Sequence, residues 1–326
     1  MASDPAHALR ANGLVAGPAT SAPVAILLCT YNGARFLPQQ LASYEAQDFA
    51  GWRLVVSDDG SQDATPALLE EFQNKHGPAR VEIRQGPRQG FVANFLSLIC
   101  DPVIKADYYA LSDQDDVWSS GKLSRARRYL ANAPADKPFV YCGRTRQIDE
   151  QGRDIGLSTL YRRPPHFRNA LVQSLAGGNT MVFNEQMRQL LMRAGADVKV
   201  GSHDWWVYMT ITAVEGQILY DSVPTVSYRL HARNVIGTNE TVAAKMLRAR
   251  LLWRDRFKSW ADMNIAALER IENLMTEENR KTFELFRRFR KQSVVPRVCG
   301  FVRSGVYRQS LFDNVALLAA ALAGKI

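Results

Sequence analysis

The sequence predicts an α/β protein built on a parallel sheet, and three apolar runs with the same kind of ending predict it. Val24 to Cys29, Trp52 to Val56 and Tyr108 to Ser112 each stop at a polar loop: Thr30-Tyr31-Asn32-Gly33, Ser57-Asp58-Asp59-Gly60-Ser61 and Asp113-Gln114-Asp115-Asp116. Runs that are apolar on both faces suit strands covered on both sides, and open sheets of such strands bind ligands in the loops at their carboxyl ends.

Residues 1–22 are rich in Ala, Pro and Gly, hold no apolar run of signal-peptide length, and are expected to form a disordered lead. The first strand leads into a helical pattern from Phe36 to Tyr44. After the second strand, Ser61 or Asp63 is a candidate N-cap for a helix with Leu68, Leu69 and Phe72 on its apolar side. Val81 to Arg84 reads as a short strand, Gly90 opens a helix running to Ile99, and the next strand ends at the acidic loop. Further along, Gly177-Gly178-Asn179-Thr180 is either a plain β-turn or a site loop before the apolar Met181-Val182-Phe183. Ser202 or Asp204 could cap a helix through Val207 to Val214.

From 241 the pattern changes. Met246, Leu247, Leu251 and Leu252 recur at helical spacing among Arg248, Arg250, Arg254, Arg256 and Lys258, and Arg287-Arg288-Phe289-Arg290-Lys291 follows. This predicts a main domain over 23–240 and a basic helical extension over 241–326, expected to be removable without unfolding the rest.

Acidic residues crowded at the end of a buried strand repel one another unless a cation or a proton is shared. Asp113, Asp115 and Asp116 therefore point to a divalent metal, although a solvated acidic turn has the same composition.

The order of these motifs resembles the GT-A nucleotide-sugar glycosyltransferases, specifically the inverting family 2. Thr30-Tyr31-Asn32, Ser57-Asp58-Asp59-Gly60-Ser61 and Asp113-x-Asp115-Asp116 carry the likeness upstream. His203-Asp204-Trp205-Trp206 and Tyr228-Arg229-Leu230-His231-Ala232-Arg233-Asn234 carry it downstream and are similar to the bacterial rhamnosyltransferase-like branch. The likeness spans roughly residues 22 to 240 and implies a Rossmann-like nucleotide-diphospho-sugar transferase fold.

The resemblance implies roles. Asp115 would hold Mg2+ or Mn2+, His231 would add an imidazole to the metal or touch the diphosphate, and Asp113 would hold the ribose or reach the metal through water. Asp59 would accept from the pyrimidine N–H, with Asp58 kept for an Asx-turn on Gly60. Tyr31 would pack on the base, with Thr30, Asn32, Gln114 and Arg88 completing the donor site. Asp204 would deprotonate the acceptor. Trp118, Trp205 and Trp206 would offer aromatic faces to sugar, and Gly178 and Asn179 would line the sugar site. Each also has an ordinary structural use, as turn, cap, core or surface residue.

Composition bounds the setting. With 326 residues and 46% hydrophobic content the chain can bury a substantial core. Cys29, Cys100, Cys142 and Cys299 form no CxxC pair, which suits a cytoplasmic setting. The net charge of +9 equals that of 241–326, where 17 Lys and Arg face 8 Asp and Glu. A basic extension of this kind is attracted to anionic lipid, so association with the inner membrane face is expected. The apolar stretch Val315 to Ala323 is too short to span a bilayer, and the Gln-x-x-Arg-Trp of processive synthases is missing, which favours single-sugar addition. No nucleic-acid motif accompanies the basic residues. The expected partners are a dTDP-L-rhamnose or UDP-sugar donor and a glycan acceptor linked to polyprenyl diphosphate.

Overall fold

The computed structural model describes residues 24–231 and 257–326. The disordered lead, the amphipathic pattern from Met246 to Arg256 and the stretch from Ala232 to Gly237 fall outside the described residues.

A seven-stranded sheet forms the centre, with neighbours in the order β10 (Gln217–Asp221), β6 (Phe139–Gly143), β9 (Val182–Asn184), β4 (Tyr108–Ser112), β1 (Val24–Thr30), β2 (Trp52–Asp58) and β3 (Val81–Gln85). All neighbouring pairs are parallel except those of β9, which runs antiparallel to β4 and β6. Val24 registers with Trp52 on one side and Tyr108 on the other, so the three loops expected at strand ends open on one edge. A smaller sheet of β5 (Val117–Trp118), β11 (Val226–Arg229), β7 (Arg146–Ile148) and β8 (Asp154–Leu157) continues from the acidic loop.

Strand alternation divides the core. Val24, Ile26 and Leu28 pack with α1 (Leu37–Glu45), α2 (Thr65–His76) and α4 (Lys122–Leu130). Ala25, Leu27 and Cys29 face the other way, toward α3 (Phe91–Ile99), α6 (Glu185–Ala194) and α7 (His203–Ala213). Between them, α5 is the single turn Phe167–Ala170. All seven residues of β1 are buried, as a central strand covered on both faces requires.

The C-terminal helices belong to the second of these faces. Helix α8 (residues 257–269), α9 (Glu277–Phe289) and α11 (Leu311–Leu322) contribute Leu268, Phe283, Phe286, Phe289 and Leu317 to the cluster that holds Leu27. Helix α10 (Val294–Ser304) joins α9 to α11. Cutting the extension away would bare an apolar face of the main core. The N-cap expectation for α2 is corrected. Ala64 occupies that position, and Asp63 instead accepts the Thr65 N–H at 2.9 Å.

Phe283 is fully buried. Phe283→Ala should therefore lower the stability of the whole protein by about 3–5 kcal/mol. Urea unfolding followed by tryptophan fluorescence and by far-ultraviolet circular dichroism should show one transition displaced as a unit. A second, separate transition would mean that the extension folds independently.

Candidate functional site

Three of the four positions of the acidic loop point toward different neighbours. Gln114 turns to the first loop, where its Oε1 accepts the Tyr31 N–H at 2.9 Å and its Nε2 donates to the Tyr31 carbonyl at 3.0 Å. Asp115 turns to the end of β11, where its Oδ2 lies 2.9 Å from His231 Nε2. Asp116, fully buried, accepts from Asn179 Nδ2 at 2.5 Å and from the Arg229 N–H at 3.2 Å. Asp113 stays among the other carboxylates. Burial, then Asp116, Asp115 and Asp204, push its carboxyl well above the usual range.

Burial, reinforced by Asp115, also raises the Asp116 carboxyl to about 7, against the pull of Asn179, Arg229 and Lys122. Lys122 is the cation that sequence reasoning missed. It is fully buried at the start of α4, its Nζ donates to the Asn179 carbonyl, and it sits 4.0 Å from the centre of the Trp118 ring. Burial lowers its ammonium to about 7, opposed by Asp116 and Asp113. Arg229 was likewise unassigned. It is buried, donates to the carbonyls of Asp115, Asp149 and Glu150, and reaches Gln39.

The first two loops lock together. Thr30 Oγ1 donates to Asp58 Oδ2 at 2.7 Å, and Asn32, at φ 47°, donates its N–H to Ser61 Oγ at 2.8 Å. Asp58 Oδ1 accepts from the Gly60 and Ser61 N–H groups, making the expected turn. Asp59 spends both oxygens on the loop after β3, accepting from the Arg88 N–H at 2.6 Å and the Gly90 N–H at 2.8 Å. That loop approaches so closely that a Cβ on Gly86 would stand 2.9 Å from Asp59 Oδ1 and 3.0 Å from the Asp58 carbonyl. Tyr31 remains 57% exposed, and the exposed Arg88 lies over Gly60.

The start of α7 carries Asp204. Ser202 is its N-cap residue, but the Ser202 hydroxyl donates to Asp204 Oδ1, which also takes the Trp205 N–H at 2.8 Å. Asp204 Oδ2 has no hydrogen bond among the described residues. His203 is buried and stacks on Phe95 with centroids 3.8 Å apart, and neither ring nitrogen has a partner among the described residues. Burial depresses its imidazolium to about 4, against the attraction of Asp204.

Two expectations are corrected. Trp118, Trp205 and Trp206 are core residues rather than sugar platforms: Trp206 is fully buried, Trp205 donates its indole N–H to Ala170, and Trp118 sits edge-on to Tyr44. Their large apolar area is used between helix and sheet. Asn179 is buried too, and holds Asp116 and Lys122 from behind.

A divalent ion suits this arrangement. The crowded carboxylates leave a negative field that a cation would relieve, and Asp115 and His231 bring an oxygen and an imidazole nitrogen together. No preformed cluster of three or more ligating side chains exists among the described residues, so substrate oxygens and water would complete the coordination.

A model of glycosyl transferase family 2 matches residues 25–193. The dTDP-rhamnosyl transferase RfbG of Shigella flexneri is 27% identical over 239 residues, covering 69% of this chain and 78% of that one. The uncharacterized protein Rv1520 of Mycobacterium tuberculosis is 26% identical over 217 residues, covering 65% of this chain and 60% of its own. Among solved structures, the mannosyltransferase PcManGT from Pyrobaculum calidifontis, in complex with GDP-Man and Mn2+, superposes with a TM-score of 0.51 at 16% identity, over 94% of this chain and 88% of that one. Staphylococcus aureus TarS in complex with UDP-GlcNAc gives 0.52 at 14% identity, over 82% and 87%. These likenesses establish the GT-A fold, with helices added at the C-terminus.

His203 yields a pH test. The unfolded ring titrates near 6.5 and the folded one near 4, so the unfolded chain binds a proton in that window that the folded chain does not. Its contribution to stability is thus complete above about 6.5 and is lost as the pH falls toward 4. Against His203→Asn, the wild type should lose up to about 3 kcal/mol of relative stability across the window, measured by urea unfolding. Gly178→Ala should destabilise at every pH, because its Cβ would meet His203 Nε2 at 2.2 Å; a melting temperature equal to wild type would contradict that packing.

Proposed function

This chain belongs to glycosyl transferase family 2, and on that premise we propose that it adds one L-rhamnose from dTDP-L-rhamnose, with inversion, to a bacterial surface glycan such as O-antigen or cell-wall polysaccharide. It is a glycosyltransferase. The rhamnosyl transferase among its relatives supports the donor. Uracil and thymine present the same edge to a carboxylate, so a UDP-hexose is the alternative donor.

The observation that carries the reading is the contact of Asp115 with His231, 116 residues apart in the chain, at the sheet edge where Asp204 lies within electrostatic reach of Asp113. In this reading Asp204 Oδ2 accepts the acceptor's hydroxyl proton as that oxygen bonds to the anomeric carbon from the far face. The bond from that carbon to the diphosphate breaks, and its electron pair leaves with dTDP. The Ser202 hydroxyl and Trp205 N–H hold the other oxygen of Asp204 and fix its orientation.

Asp115 and His231 would hold Mg2+ or Mn2+, with Asp113 on the ribose or reaching the ion through water; such an ion, when bound, neutralises charge on the departing diphosphate. Tyr31 and the Thr30–Asn32 loop would receive the base, beside Asp59, Arg88 and Gln114. Gly178 would line the sugar site through its backbone, its side-chain space being taken by the His203 ring. The acceptor would be linked to polyprenyl diphosphate and met at the cytoplasmic face of the membrane. No described helix is long and apolar enough to cross a membrane, so a peripheral encounter fits.

Asp204→Asn should slow transfer by about a thousandfold while leaving dTDP affinity unchanged; transfer at the wild-type rate would remove Asp204 as the base. Calorimetric titration with dTDP, UDP and GDP, each with and without Mn2+, should give tight metal-dependent binding of dTDP. Preference for UDP would assign a UDP-hexose donor. Binding of none of the three would leave a non-catalytic glycan- or lipid-binding module on this fold.

A further inference from the structure

The last two helices pack on the core with one side and leave an apolar side bare. In α11, Leu317 and Ala321 join the core, while Leu311 (88% exposed), Val315 (69%), Leu318 and Leu322 recur every three or four residues along the outer side, beside Phe312 (76%). In α10, Val295 (74% exposed) and Val302 lie seven residues apart on the outside, next to Val294. A helix apolar all round is ordinarily buried on every side, and exposed apolar residues gathered on neighbouring elements mark an interaction surface.

Charge identifies the occupant. From Arg287 to Lys325 there are eight arginines and lysines and one acid, Asp313. Asp313 is engaged locally by the Ser310 hydroxyl that caps α11. Arg287 and Arg290 pair with Glu269 and Asp262, but Arg288, Lys291 and Arg303 are exposed. A second copy meeting this face across a twofold axis would bring like charges together, whereas anionic headgroups would neutralise them. Helix α11 has 12 residues and a length of about 18 Å, far short of a bilayer core of about 30 Å, so it suits lying in the interface plane.

We propose that the outer face of α10 and α11 docks on an anionic lipid bilayer, with Leu311, Phe312, Val315, Val295 and Val302 entering the headgroup boundary and the exposed basic side chains meeting lipid phosphates. The expected basic attraction thereby gains a defined apolar footing, nearer the C-terminus than the amphipathic pattern of 246–258. The turn between the two helices is clamped to the segment that feeds the site: Asn169 Nδ2 donates to the Tyr307 carbonyl at 2.9 Å, Gln173 Oε1 accepts the Gln309 N–H at 2.8 Å, and the Arg163 guanidinium lies 3.8 Å from the Tyr307 ring centre. Residues 163–173 lead directly into the Gly178–Thr180 turn that carries Asn179 to Asp116. Docking would therefore hold the acidic loop's support close to the membrane. This deepens the proposed reaction at a lipid-linked acceptor, yet it stands on a surface that the transfer chemistry does not use.

The test combines Leu311→Gln, Phe312→Gln and Val315→Gln, all at exposed positions and all to a good helix former. The wild type should co-sediment with phosphatidylcholine vesicles containing about one third phosphatidylglycerol, and bind them at least about tenfold more tightly than the triple variant or than pure phosphatidylcholine. Melting temperature and dTDP binding should match in the two proteins. Failure of the wild type to bind the vesicles, or equal binding by the variant, would overturn the proposal. So would binding abolished by about 1 M salt but indifferent to the substitutions, which would leave charge alone as the cause. A wild-type dimer that becomes monomeric in the variant without change in lipid binding would give the face to a second copy. Vesicle binding by a protein that binds no nucleotide would instead leave this proposal standing and remove the transferase reading.

Discussion

The buried carboxylate of Asp116 is the constraint on which the site depends. An acid with no solvent exposure must be held by donors, and here Asn179 and the Arg229 backbone do so, with the Lys122 ammonium nearby. Fixing that one residue fixes the direction of its neighbours. Asp115 is turned toward His231, Gln114 is turned toward the Tyr31 backbone, and Asp113 is left in the field of the other carboxylates. The acidic loop thus joins the first loop, the Gly178–Thr180 turn and the end of β11, which the chain delivers from distant positions.

The second loop shows the same economy. Asp58 and Asp59 are adjacent and chemically identical, yet Asp58 closes its own turn and holds Thr30, while Asp59 fastens the loop after β3 through two backbone N–H groups. Oxygens placed in this way are preorganised by backbone donors, so the loops have little freedom to lose when a ligand arrives. Asp204 differs in kind. One of its oxygens is fixed by Ser202 and Trp205, and the other has no hydrogen bond among the described residues.

Beneath the loops, the alternating faces of β1 divide the molecule into two packed layers, and the C-terminal helices complete one of them. The extension is therefore part of the core on its inner side while presenting an apolar and basic exterior. Its inner packing also explains why the tryptophans after Asp204 are core residues: α7 lies between the sheet and the added helices, with Trp205 against Phe257 and Trp260.

The sequence by itself determined the first four strands and the order of the loops at their ends. Apolar runs such as Val24 to Cys29 report burial on both faces, and turn residues report where each strand stops, both local properties of the chain. The pairing of Asp115 with His231 was legible only as a motif order shared with a family. Only the tertiary structure decided that Lys122 is a buried cation rather than a surface lysine, that Asn179 serves Asp116, that the three tryptophans pack inward, and that the last helices cover the core. The physical reason is that periodicity tells which side of an element is apolar but not what covers it, and composition tells that an acid needs a partner but not which distant donor the fold will bring.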